Sequence, residues 1–196
     1  MRSPQAAGHY AKKKTLRYKE RDEKKREAFL EEIKKYSKEA LVFVDESGID
    51  SYFHRAYGWA KKGRLVGGEV AGRRFARESF IAAKNKSAII APLCFQGTCN
   101  TKLFDLWVEP FLIPHLVVGQ VVILDNASFH KSVKARKLIE KAGCKLLFLP
   151  PYSPDSNPIE KFWGWFKSKV KLLAHRFKTL AETIDWVFNR CNLQLN

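Results

Sequence analysis

The chain has 196 residues, enough for one sizeable core, and its 36 lysines and arginines outnumber 20 aspartates and glutamates to give a net charge of +16. An apolar content of 45%, with 14 phenylalanines and 5 tryptophans, excludes a disordered chain, and no apolar run reaches membrane-spanning length. Four cysteines without a CxxC pair exclude a zinc finger and a disulfide scaffold.

With no apolar leader at the N-terminus, the expectation is a cytoplasmic protein with reduced thiols, Cys94 and Cys144 lying on buried strands. A basic excess of this size favours nucleic acid or another polyanion as partner; simple solubility is the plainer reading.

Residues 1–19 carry Lys12-Lys13-Lys14 and no apolar periodicity, as a basic linker does. Residues 20–37 read as a charged surface helix leaning on the main domain through Phe29, Leu30, Ile33 and Tyr36, its charges forming a solvated face. Ala40-Leu41-Val42-Phe43-Val44-Asp45 reads as a buried strand ending in a carboxylate. Short segments follow at 57–60 and 65–70, separated by a Lys61-Lys62-Gly63 turn, and then two strands at 78–84 and 88–95 complete an antiparallel meander. Residues 101–115 are helical in pattern, with Pro110 as a kink or end. A second buried strand, 120–125, again ends in a carboxylate. Next come a helix at 132–142 stopped by Gly143, a strand at 144–149, a helix from Asn157 to about 173, and a last amphipathic helix from Thr179. This order makes a mixed sheet with helices on its faces, and in such sheets the ligand crevice lies at the strand ends.

Between strand 144–149 and its helix lies Pro150-Pro151-Tyr152-Ser153-Pro154-Asp155-Ser156-Asn157-Pro158. Its four prolines leave little backbone freedom, Asn157 suits an N-cap, and Glu160 falls in the first helical turn. The 34 residues between Asp125 and Glu160 hold one helix and one strand, enough to leave the sheet and return to the same edge. Three converging carboxylates on a basic protein suggest a divalent-metal site for phosphodiester chemistry, because magnesium takes hard oxygen ligands and completes its shell with water and phosphate. Each residue also has a plainer reading. Asp45 and Asp125 suit ordinary strand ends, Glu160 suits a capping box with Asn157, and His130 suits a structural histidine. Asp50, Asp105 and Asp155 suit turns or caps better than ligands. The aromatics at 162, 163 and 166 suit a core, with Trp165 facing elsewhere as a weak candidate for DNA contact.

Val44-Asp45-Glu46-Ser47-Gly48, Leu124-Asp125-Asn126-Ala127-Ser128-Phe129-His130 and the run from Leu149 through Glu160 to Trp163 resemble the three signature blocks of DDE transposases. The nearest resemblance is to the bacterial insertion-sequence (IS-six-thirty) branch of the mariner superfamily, over roughly residues 17–192. It implies a ribonuclease-H-like fold, a mixed five-stranded sheet flanked by helices. It also implies a catalytic, metal-binding triad of Asp45, Asp125 and Glu160 that takes two Mg2+ ions, with Mn2+ as a substitute. Glu46, Asn126 and His130 match positions flanking the triad and are assigned supporting roles, as is Asn157. The implied partner is double-stranded DNA, both transposon ends and target, with a homodimer or an upstream DNA-binding half as protein partner. Ser156 departs from the apolar residue usual in the loop. The division this suggests is a basic linker and surface helix over 1–39, without the family's upstream helix-turn-helix modules, and a catalytic domain over 40–196. Two rivals stand: a catalytically silent fragment that modulates a full-length transposase, and another ribonuclease-H-like nuclease.

Overall fold

The computed structural model describes residues 22–51, 60–65, 67, 72 and 76–191. The linker expected over 1–19 and most of the segments expected at 57–60 and 65–70 lie outside the described residues. Among those described, the elements run α1 (Glu23–Ile33), β1 (Leu41–Asp50), β2 (Arg77–Lys84), β3 (Ile89–Gln96), α2 (Thr101–Trp107), β4 (Val121–Leu124), α3 (Val133–Lys141), β5 (Lys145–Phe148), α4 (Ile159–Leu173) and α5 (Leu180–Cys191). The strands form one five-stranded sheet in the order β3-β2-β1-β4-β5. The meander β1-β2-β3 is antiparallel and the pairs β1-β4 and β4-β5 are parallel, so the sheet is mixed as expected.

Side-chain alternation along β1 explains the layers. Val42 and Val44 enter a core with Phe104 and Trp107 of α2 and Ile139 of α3. Phe43 points to the other face, where Phe29 of α1 joins Val121, Ile123 and Leu149. Further along that face Phe80, Ala82 and Ile89 meet Phe162, Trp163, Phe166 and Val170 of α4 and Ile184, Val187 and Phe188 of α5. Phe80 packs on Trp163 with centroids 5.0 Å apart, and Phe166 on Phe188 at 4.2 Å. Each fully buried aromatic contributes roughly 2–3 kcal/mol through the area it removes from water.

Three expectations are corrected. β1 does not end at Asp45 but runs on to Asp50, because residues 46–50 continue the antiparallel ladder with β2, pairing Glu46 with Ile81 and Asp50 with Arg77. The charges of α1 are not all solvated, since Arg26 is buried, while Leu30 of the expected apolar stripe is exposed. Cys94 on β3 is only partly buried against the α4–α5 core, whereas Cys144 is buried. By contrast, Asn157 caps α4 as expected: its backbone is extended, its Oδ1 accepts from the Ile159 amide at 3.4 Å, its carbonyl accepts from the Glu160 amide at 3.2 Å, and Pro158 takes the first helical position at φ −62°. The helical run after Thr101 does change character near Pro110, passing from α2 into a wider turn at Val108–Leu112 and a tighter one at Ile113–His115. Gly143 ends α3 at φ +74°, a conformation in which a side chain would be strained and would press on Val118. No described helix is long and apolar enough to cross a membrane.

Candidate active site

β4 ends at Leu124, and its parallel register with β1 pairs Ile123 with Phe43. Two residues beyond that pair, Asp125 follows β4 while Asp45 stays within β1, held there by its pairing with Ala82 of β2. The register therefore brings both carboxylates level at the end of the parallel half. The proline loop then returns from β5 to α4 over this point. Asp45, Asp125 and Glu160 line one cavity of about 380 Å³, whose other walls are Asn126, Ala127, Asn157 and residues 149–154.

Asp45 is buried, and Trp163 Nε1 donates to its Oδ2 at 3.1 Å. Burial, followed by the charges of Glu160, Glu46 and Asp125, pushes its carboxyl up to about 7. Bringing a cation into the cavity would reverse the electrostatic part of that shift. Asp125 goes the other way. Burial opposes its ionisation, but a hydrogen bond from His130, the Ala127 amide at 2.9 Å and the charge of His130 outweigh that and hold it below its ordinary value.

His130 is 1% exposed and wedged between the rings of Phe104 and Phe129. Its Nδ1 meets Asp125 Oδ1 at 2.5 Å and its Nε2 meets Glu46 Oε1 at 2.8 Å. Burial pulls the imidazole down, but the two carboxylates more than offset it and raise the group to about 9. A carboxylate on each nitrogen favours the imidazolium form, in which both nitrogens donate. Glu46, next to Asp45 on β1, points to the opposite face; its hydrogen bond towards the site runs through this histidine, while its charge also acts on Asp45. Asn126 acts on the loop: its Nδ2 donates to the Leu149 carbonyl at 2.5 Å.

Glu160 lies exposed in the first turn of α4. The amide of Asn157 donates to the Pro154 carbonyl at 2.9 Å, so it is not given to Glu160 as a capping box would require. Asn157 is buried, and its Oδ1 accepts from the Ile159 amide at 3.4 Å. Among the described residues no three His, Cys, Asp or Glu side chains stand close enough to cage an ion by themselves. The donors are nevertheless hard oxygens, and magnesium needs only one or two protein carboxylates when water and phosphate supply the rest.

Sequence reasoning missed two contacts. Trp163 was read as core alone, although its place one helical turn after Glu160 puts the indole N–H against β1. Arg26 of α1 forms an ion pair with Asp155 of the loop at 2.8 Å, which turns a supposed surface charge into a buried one. Asp105 accepts from Ser132 Oγ, in keeping with a structural role. Trp165 is partly buried at the edge of the α4–α5 core, with Lys169 5.9 Å over its ring.

Residues 40–184 match the family model described as DDE superfamily endonuclease. The chain belongs to this family. Comparison of the DDE chain with curated proteins finds no match. Among solved structures it is similar to the Mos1 transposase paired-end complex with left transposon end, at 16% identity and a TM-score of 0.65, over 96% of this chain and 65% of that one. Against the mariner Mos1 paired end complex with Mg the TM-score is 0.66 at 16% identity, over 97% of this chain and 67% of that one. The catalytic domain of Mos1 mariner transposase gives 0.53 at 15% identity, covering 92% and 94%. These likenesses establish the fold, which is ribonuclease-H-like. The DDE chain spans 65% of the length of the first of these transposase chains.

Proposed function

We propose that this chain is the catalytic domain of a transposase, cutting DNA at transposon ends and joining the freed ends to target DNA. The observation that carries the proposal is that Asp45, Asp125 and Glu160, from three separate elements, line one cavity at the strand ends. In this reading they are the catalytic triad and would hold two Mg2+ ions, or Mn2+ in their place. Bound there, the metal supplies positive charge to the attacking and departing oxygens of a phosphodiester.

The chain's own residues prepare that site. His130 keeps Asp125 ionised and fixes its direction, while Trp163 fixes Asp45. Asn126 and Asn157 shape the loop that carries Glu160 over the cavity. Lys167, on α4 beyond Glu160 and bonded to Ser47 Oγ at 3.0 Å, belongs to the basic surface that would grip phosphates irrespective of sequence. The chemistry is hydrolysis of one phosphodiester, freeing a 3′-hydroxyl, and then transesterification by that hydroxyl on a second. The signature blocks favour the bacterial IS-six-thirty branch, with action at the nucleoid as a homodimer or beside a DNA-binding half.

A gel assay with labelled DNA carrying the transposon ends tests this in Mg2+ or Mn2+. Wild-type cleavage that Asp125→Asn abolishes supports the enzyme. Cleavage retained in Asp125→Asn overturns the site, and DNA binding without cleavage in either metal turns the reading to a silent, modulating fragment.

A further inference from the structure

Arg26 is 9% exposed, unusual for an arginine on a helix otherwise so charged. Its Nη1 donates to Asp155 Oδ1 and to Ser156 Oγ, both at 3.0 Å, and its Nη2 to Asp155 Oδ2 at 2.8 Å. A planar guanidinium making a two-pronged contact fixes orientation as well as distance, which a lysine does not. Both acceptors belong to the short turn Pro154–Ser156, which is flanked by the cavity-lining Ser153 and Asn157 and followed by Glu160.

The helix that carries Arg26 is itself fastened to the sheet. Phe29 is buried against Phe43 and Leu149, and Lys145 of β5 donates to Glu32 at 2.6 Å and to the Tyr36 hydroxyl at 2.7 Å. The loop, for its part, needs holding. Tyr152 stands at φ +53°, a left-handed conformation that costs a residue other than glycine about 1–2 kcal/mol, so local preference alone would not keep the loop in this shape. Asn126 pins its start at Leu149, and Arg26 pins its apex. Because the Asp155 side chain is 56% exposed, this pair lies on the loop's outer side and adds little to the core.

We infer that Arg26 is a positioning residue for the carboxylate site: α1, through Arg26, clamps the proline loop so that Glu160 faces Asp45 and Asp125. The inference rests on the metal-dependent reading above. It requires that loosening the clamp weaken metal binding without unfolding the chain, as loss of an outer partner of a metal ligand commonly does.

The test uses the full chain, stripped with EDTA, as wild type, Arg26→Lys, Asp155→Asn and Asp45→Asn. Three quantities are read: the thermal midpoint, the rate of chymotryptic cleavage after Tyr152, and Mn2+ affinity by calorimetry. Arg26→Lys and Asp155→Asn are expected to keep a near-wild-type midpoint, to be cut faster in the loop, and to bind Mn2+ about tenfold more weakly. Asp155→Asn leaves the buried arginine in place, so it serves if Arg26→Lys fails to fold. Wild-type Mn2+ affinity in the clamp variants overturns the inference alone, whatever the cleavage rate. Absence of Mn2+ binding by wild type, or binding that survives Asp45→Asn, overturns the site reading and this inference with it.

Discussion

Trp163 donates its indole N–H to Oδ2 of Asp45 across 3.1 Å, joining the helix that carries Glu160 to the strand that carries the most buried carboxylate of the cavity. The same ring packs on Phe80 and Phe162, so the donor cannot swing away without disturbing the aromatic core. Trp163→Phe keeps much of that packing and removes the hydrogen bond. The expected cost is about 1.5–3 kcal/mol in urea denaturation, the range for a bond to a charged group, with a fall in end-cleavage rate of about tenfold. A variant that cuts at the wild-type rate would show that Asp45 needs no such support.

That relationship also marks how far the residues alone could be read. The five strands are legible because Val42, Val44, Val122 and Ile123 lie in dense apolar runs, and the faces of α4 and α5 because Phe162, Phe166, Ile184 and Phe188 recur at helical spacing. The extension of β1 through Glu46-Ser47-Gly48 was not legible, since no apolar run marks it and the ladder to β2 alone holds it. The start of α4 was legible in Asn157-Pro158, but the capping box with Glu160 does not form, because the Asn157 amide is taken by the Pro154 carbonyl. Arg26 and Asp155 lie far apart in the chain, and neither shows locally that it has a partner. Local pattern reveals elements, and the contacts that tune the site are non-local.

Asp45→Asn separates stability from metal binding. Asparagine keeps the shape and can still accept from Trp163, but it removes a negative charge that burial and the neighbouring Glu160, Glu46 and Asp125 disfavour. In EDTA at pH 8 the variant should melt a few degrees above wild type, as expected where a site is strained by like charges. Added Mn2+ should raise the wild-type midpoint and leave the variant unmoved. Equal Mn2+-induced shifts would place the metal elsewhere.

His130→Gln tests the imidazolium between Asp125 and Glu46. Glutamine donates from a single nitrogen and brings no charge, so two carboxylates lose their shared cation. Breaking a fully buried ion pair costs roughly 3–5 kcal/mol; the Asp125 side chain is 46% exposed, so about 2 kcal/mol is expected here by chemical denaturation. Cleavage of DNA should fall further than stability does, because Asp125 loses its fixed direction as well as a partner. Wild-type stability in His130→Gln would mean that the two carboxylates are adequately solvated without it.

The contact that fastens α1 to β5 gives a pH dependence of predictable sign. Hydrogen bonds from Lys145 and then Lys35 pull Glu32 down from 4.5 to about 2. A carboxylate whose folded value is depressed contributes stability that is fully present above its unfolded value and is lost as the pH falls towards the folded one. The contribution of Glu32 is therefore intact above pH 4.5 and fades between 4.5 and about 2. Lys145, raised above 10.5 chiefly by the same bond to Glu32, contributes in full below 10.5 and loses its share above it. Glu32→Gln should thus melt below wild type near neutral pH, and the gap should close as the pH is lowered towards 2. Because Glu32 and Lys145 are solvent-accessible, the gap should also shrink in high salt. A gap that stays constant between pH 6 and 3, followed by circular dichroism melts of both proteins, would show that α1 is held by the burial of Phe29 and not by this ion pair.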